Sequence, residues 1–386
     1  MKNLALSLIA ASCFALVLDA PRASAAPPTI DTAAQTAIAI DFDTGAILYD
    51  KNSDQRIEPA SLSKMMTAYV VYSNLKSGRL KLDDTLPVSE KAWEKHKTNE
   101  SNMFVPLGAQ VKVEDLVRGM MIQSGNDACV VLAEGIAGST DAFVDQMNQM
   151  AQKLGLKDSH FADVDGLPDP EEYMTAHDIA LLGAHLIRDF PEYYHYDSEK
   201  EFTYNGIKQG NRNPLLYKDD GVDGLKTGHT DEAGYGVAIS ALRNGRRIVE
   251  ALVGMKSMNQ RSAEAEKMLD WAYREWADYK LVKAGDPVDQ APVWLGVNTT
   301  VPVTVASDVL VSMPRNARSG MKVSASYDHA VAAPVKEGQP VGTLKITAPD
   351  MTDVTVPLVA SKEVDRMTGF SRAAYAAGYL VFGRRN

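Results

Sequence analysis

The sequence predicts an α+β chain: a sheet covered by helices, then a small all-β domain, then a C-terminal amphipathic helix. Three observations predict it. Strand-like segments open and close residues 36–280 with helical periods between them, so the first and last segments are placed to pair. Residues 281–360 lose the helical period and carry many Val and Thr residues. Residues 364–386 recover a spacing of three and four through Met367, Phe370, Ala374, Ala377 and Val381.

The elements follow in order. Lys2, an apolar run from Leu4 to Leu18 and the small-x-small triplet Ala23-Ser24-Ala25 describe a signal peptide over residues 1–25, removed on export. Asp19, Pro21 and Arg22 break a run already too short to span a bilayer. Cys13 lies inside the run rather than closing it, which argues against lipid attachment. Residues 26–35 read as a spacer. Thr36 to Ile40 alternates as a strand, Asp43-Thr44-Gly45 turns, and Ala46 to Tyr49 returns. Helical periods run over Ser61–Leu75, Glu114–Ile122, Asp127–Ile136, Ala142–Leu154 and Ala176–Ile187, the last capped by Thr175. Strands are expected at Gly221–Lys226, Gly234–Arg243 and Arg246–Met255, and a long helix over Arg261–Tyr279. Turn signals at Gly285-Asp286-Pro287, Pro314, Gly320, Gly338 and Gly342 then punctuate the all-β region. In the tail, Arg366, Arg372, Arg384 and Arg385 face a single opposing Asp365. That suits a helix lying on a membrane surface; docking on the β domain is the alternative.

Composition narrows the function. The formal net charge is −10, and loss of the leader makes the chain one unit more negative. No basic stripe offsets this, so nucleic acid is not an expected partner. Removal of the leader also leaves Cys129 as the single cysteine, so no internal disulfide can form. The seven histidines show no metal-ligand spacing with a glutamate, and no metal or cofactor is expected.

Three short words carry the chemistry. Ser61 follows Glu58-Pro59-Ala60 and opens a helix, where the positive end of the macrodipole favours an alkoxide. Lys64 lies three residues on, so its amine returns over the same face. To act as a base it must be neutral, which burial among Met65, Met66 and Tyr69 and a second cation, Lys226, would favour. Ser124-Gly125-Asn126 stands where one helix ends and another begins. There Ser124 could relay a proton and Asn126 could hold an amide, although simple helix capping would also explain them. Lys226-Thr227-Gly228 is placed at the end of a strand, with Gly228 allowing a peptide to approach the strand edge as an added strand. The N–H groups of Ser61 and His229 would form an oxyanion hole, and Lys226 and Thr227 would take a terminal carboxylate. Arg212 and Arg261 are further candidates for that carboxylate, or else surface residues. Cys129 reads as a small buried residue rather than a nucleophile.

Ser-x-x-Lys alone is weak, being expected about once in a chain of this size at average residue usage. Ser319-Gly320-Met321-Lys322 is a second instance, and Ser257-Met258-Asn259 echoes the middle word. The order and setting of the chosen words make them specific: helix start, helix junction, strand.

With these words in this order, the chain resembles the low-molecular-mass penicillin-binding proteins, D-alanyl-D-alanine carboxypeptidases close to penicillin-binding protein five. The resemblance extends through Gln123–Cys129, Asn211-Arg212-Asn213 and Val222–Thr230, and covers roughly residues 36–360. It implies a penicillin-recognising serine hydrolase fold, an antiparallel sheet with helices on both faces, over 36–280. It implies an all-β domain over 281–360 and a membrane-anchoring helix over 364–386 on the periplasmic face of the inner membrane. The implied reaction removes the last D-alanine from peptidoglycan stem pentapeptides through an acyl-enzyme on Ser61. Lys64 would be base, Ser124 would assist proton transfer, and β-lactams would acylate the same serine. The segment Glu94 to Asn102, which borders the active-site mouth in the family, is short and charged here. Rivals are a β-lactamase, a DD-endopeptidase and a non-catalytic penicillin-binding sensor. A β-lactamase would need a Glu-x-x-x-Asn loop, whereas the region offers Asp163, Asp165, Glu171 and Glu172 without the asparagine.

Overall fold

A computed structural model describes residues 29–97, 100–218, 220–370, 372, 373, 375 and 377; the expected signal peptide lies outside them. Thr36–Asp41 pairs antiparallel with Arg246–Met255, so the first and last strands of the expected sheet are neighbours. The order across the sheet is Ile47–Lys51, Thr36–Asp41, Arg246–Met255, Gly234–Arg243 and Val222–Gly224, with Thr227–Thr230 also on Gly234–Arg243.

Alternation along the central strands serves two cores. Val249, Ala251 and Val253 join the larger one with Ile179, Leu182 and Leu186 of the helix Ala176–Asp189. Ile248 and Leu252 face the other side, against Met268, Leu269 and Ala272 of the helix Met258–Glu275. The helix Lys64–Lys76 runs through the larger core with every residue buried except Ser73 and Lys76. A helix apolar on all sides needs neighbours on all sides; Val113–Gln123, Asn126–Ala137 and Thr140–Leu154 supply them. Thr175 caps its helix as expected, its Oγ1 accepting from Asp178 N at 3.0 Å.

Three expectations need correction. The helix expected to reach Tyr279 stops at Glu275, and Trp276–Val282 is a strand paired with Val309–Pro314. The three-residue spacing of Trp276 and Tyr279 continues the helical period, and a partner strand distant in sequence overrides it. The strand expected over Gly221–Lys226 ends at Gly224, so Lys226 lies just before a second segment, Thr227–Thr230, rather than ending the first. In the tail, Val364 pairs with Val335 and Met367 N donates to Leu295 O at 2.9 Å. The expected helix therefore does not start at Val364. Helical backbone is described only at residues between 369 and 377, where Tyr375 meets Trp294 edge-on at 5.7 Å, and residues 378–386 lie outside the described residues.

The all-β region holds a six-stranded sheet: Lys322–Ser326, Pro340–Thr347, Val354–Ala360, Thr300–Val305, Asp289–Trp294 and Val331–Ala332. Its own core is built on Val301, Val303, Leu344, Ile346 and Leu358.

Candidate active site

Ser61 sits in a 3-10 turn, Ala60–Ser63, that runs directly into the helix Lys64–Lys76. Ala60 before it has φ +50°, a left-handed conformation that costs an alanine free energy and that its surroundings must hold. Lys64 is fully buried, with Nζ 2.9 Å from Ser61 Oγ and a second hydrogen bond to the Asp165 carbonyl. One helical turn thus joins the serine and the lysine, as their spacing requires.

Ser124 ends the helix Val113–Gln123 in the left-handed region at φ +67°. Its hydroxyl is buried with no hydrogen-bond partner. Asn126 opens the next helix, its Nδ2 donating to Glu100 Oε2 at 3.1 Å while its buried Oδ1 has no partner. Asp127 fastens the neighbouring segment, accepting from Met103 N at 2.8 Å and Val105 N at 3.1 Å. Cys129 donates to Gly125 O, and burial pushes its thiol up to about 12, so it is inert.

The strand Thr227–Thr230 adjoins the Ser61 turn. Gly228 lies against that turn. A Cβ there would stand 2.9 Å from the Pro59 carbonyl oxygen and 3.2 Å from Leu62 Cγ, and the opposite glycine, Gly236, would crowd Leu62 Cδ1 at 3.2 Å. The bare face of the strand seats the nucleophile turn. Among the described residues Thr227–Thr230 pairs only with Gly234–Arg243, which leaves its other edge open.

Lys226 is buried, its Nζ donating to Thr227 O at 3.1 Å. Burial, then the charges of Lys64, Arg212 and Arg261, hold its ammonium well below the ordinary lysine range. Arg261 is 5 % exposed, its Nε has no partner, and burial lowers it to about 10. Its Nη2 donates to Arg212 O at 3.4 Å, which joins the two arginines. Arg212 itself is exposed, as is His229, whose ring lies 3.9 Å from that of Tyr235. The cleft therefore gathers two lysines and two arginines, Lys64, Lys226, Arg212 and Arg261, and none of the ion pairs among the described residues includes any of them. Such a site is matched to an anion.

Sequence reasoning missed Tyr235, which underlies His229 and has Arg261 at 5.8 Å from its ring. The hairpin register, His229 opposite Tyr235, was the signal that could have found it. It also missed Glu100 and the carbonyl of Asp165, for which no sequence signal exists. Three of the four acids weighed for a β-lactamase are otherwise engaged. Asp163 and Glu172 accept main-chain N–H groups, and the Asp165 carboxylate pairs with Lys95 Nζ at 2.7 Å.

A serine and a lysine on one helical turn, beside a cationic strand edge, define a serine peptidase of the penicillin-binding class. Residues 21–257 match the family described as D-alanyl-D-alanine carboxypeptidase, and residues 276–366 match the C-terminal domain of penicillin-binding protein 5. The chain is 41 % identical over 341 residues to the D-alanyl-D-alanine carboxypeptidase DacA of Haemophilus influenzae, covering 87 % of this chain and 86 % of that one. It is 40 % identical over 350 residues to DacA of Escherichia coli K12, covering 89 % and 86 %. The crystal structure of penicillin binding protein 5 from Haemophilus influenzae superposes with a TM-score of 0.80 at 38 % identity, over 88 % of this chain and 99 % of that one. The chain belongs to the D-alanyl-D-alanine carboxypeptidase family.

Proposed function

We propose that this chain hydrolyses the terminal D-alanyl-D-alanine bond of peptidoglycan stem pentapeptides through an acyl-enzyme on Ser61. The observation that carries the reading is the 2.9 Å contact between Lys64 Nζ and Ser61 Oγ inside a buried, cation-rich cleft. The substrate lies along the open edge of Thr227–Thr230, with its terminal carboxylate on Thr227, Lys226 and the two arginines. Ser61 Oγ gives its proton to neutral Lys64 and bonds to the carbonyl carbon of the penultimate D-alanine. The oxyanion is received by the N–H groups of Ser61 and His229. As the C–N bond breaks, the proton passes through Ser124 to the leaving amine, while Asn126 holds the substrate amide. Water then attacks the ester and frees Ser61. A β-lactam acylates the same serine by opening its ring amide, and its leaving nitrogen stays tethered.

The test is D-alanine release from a peptide ending in Lys-D-Ala-D-Ala, with soluble wild type beside Ser61→Ala. Release that is lost in the variant is the expected result. A folded wild type that acylates with penicillin yet releases no D-alanine points instead to an endopeptidase or a sensor.

We further propose that residues 1–25 direct export to the periplasm and that the 364–386 segment holds the protein on the outer face of the inner membrane. Phe370 is 87 % exposed between Arg366 and Arg372, which suits an interfacial helix. No helix of the described residues is long and apolar enough to cross a membrane. Fractionation of the full chain and of a chain ending at Thr368, which keeps the Val364 and Met367 pairing, tests this: only the full chain should sediment with membranes.

A further inference from the structure

We propose that Glu172 and Asp163 are positioning residues for acylation: together they fold the turn that presents the Asp165 carbonyl to Lys64. The inference rests on the roles given above to Ser61 and Lys64.

The turn is held by carboxyl groups. Asp163 Oδ1 accepts from Asp165 N at 2.8 Å and Gly166 N at 2.6 Å, and Oδ2 from Leu167 N at 3.0 Å. Glu172 Oε2 accepts from Ala162 N at 3.3 Å and Asp163 N at 3.2 Å. Five N–H donors within six residues, at Ala162, Asp163, Asp165, Gly166 and Leu167, are thus gathered by two side chains. Gly166, at φ +73°, lies so close to the Ala60 carbonyl and Ser63 Oγ that no Cβ fits. Thr67 Oγ1 donates to Val164 O at 2.8 Å. The turn is therefore clamped between the nucleophile turn and the helix that carries Lys64. Its Asp165 carbonyl is, with Ser61, the partner of the lysine amine.

Glu172 is buried and Asp163 half-buried, and Glu172 Oε1 has no hydrogen-bond partner. The charged and titratable groups facing them come from every neighbouring element. These are Asp165 in the turn itself, Lys64 on the long helix, and Lys95 beyond the helix Glu90–Glu94; the Ser63 hydroxyl adds a polar neighbour from the 3-10 turn. Lys95 is paired with Asp165, and Lys64 lies across the turn from Asp163. Burial, then the charge of Asp163, raises Glu172 to about 8. Below that pH the pair holds a proton and the turn closes. Above it a second carboxylate charge is added near that of Asp163, and the turn relaxes away from Lys64.

The experiment is the rate of acylation by a fluorescent penicillin between pH 6 and 10, in wild type, Glu172→Gln and Glu172→Ala. Circular dichroism on each variant confirms folding. Glu172→Gln keeps an acceptor oxygen and cannot ionise. It should acylate within about two-fold of wild type at pH 7 and several-fold faster at pH 9.5. Glu172→Ala removes the acceptor and should acylate about ten-fold more slowly at pH 7, with the loss in the acylation rate constant rather than in penicillin binding. If Glu172→Gln follows the wild-type profile at every pH, or Glu172→Ala acylates at the wild-type rate, the proposal is overturned by itself. A wild type that is not labelled at Ser61 overturns both it and the function on which it rests.

Discussion

A β-carbon on Gly228 would stand 2.9 Å from the carbonyl oxygen of Pro59, two residues before the nucleophile. The third sequence word is thereby a structural support for the first. Gly228→Ala forces the Ala60–Ser63 turn or the strand to move by a few tenths of an ångström. Misplacement of a nucleophile on a scale of 1 Å costs about 10²-fold, and overpacking typically costs about 1–3 kcal/mol of stability. Penicillin acylation by this variant should fall by one to two orders of magnitude, roughly, on that basis. Acylation at the wild-type rate would show that the turn does not rest on this strand.

Ser124 holds a left-handed conformation that only glycine adopts freely. Ser124→Gly and Ser124→Ala both delete the unpaired hydroxyl, but alanine keeps the strain, worth about 1–2 kcal/mol. The glycine variant should be the more stable in denaturant titrations, while D-alanine release falls in both by about 10²–10⁴-fold. Equal stability of the two would refute the strain; undiminished release would refute the proton relay.

Lys226 is held well below the ordinary lysine range by burial and by neighbouring cations. A bound carboxylate supplies the missing counter-charge, so binding should recharge Lys226 and take up a proton. KM for a peptide with a free C-terminal carboxylate should rise with pH. Calorimetry of the Ser61→Ala variant with that peptide, in two buffers of different ionisation enthalpy, measures the uptake directly. Binding heats independent of buffer at pH 8 would rule it out.

Asp197 is 1 % exposed, and burial, then the charge of Asp223, raises its carboxyl to about 8 against the partial opposition of Lys226. The folded chain keeps a proton here that the unfolded chain releases. The Asp197 contribution to stability is therefore present below the ordinary carboxylate range and is lost as pH rises toward about 8. Asp197→Asn should flatten the fall in unfolding free energy between about pH 5 and pH 8. Urea titrations at three pH values decide it, and parallel profiles for the two proteins would contradict the assignment.

The sequence by itself determined the sheet and the parts of the site. Strand alternation at Thr36–Ile40 and Arg246–Met255, helical periods between them, and the order of Ser61-x-x-Lys64, Ser124-x-Asn126 and Lys226-Thr227-Gly228 are local patterns, legible because the backbone repeats at 2 and 3.6 residues. Only the tertiary structure decided the rest. The strand Trp276–Val282 depends on a partner thirty residues later, and the Gly228 seat depends on which surface meets the Ser61 turn. Glu172, Asp163 and the Asp165 carbonyl come to Lys64 across about a hundred residues of chain through main-chain hydrogen bonds. Contacts made by backbone atoms carry no side-chain signature, and burial, which sets the protonation of Lys226 and Glu172, exists only once the chain has packed.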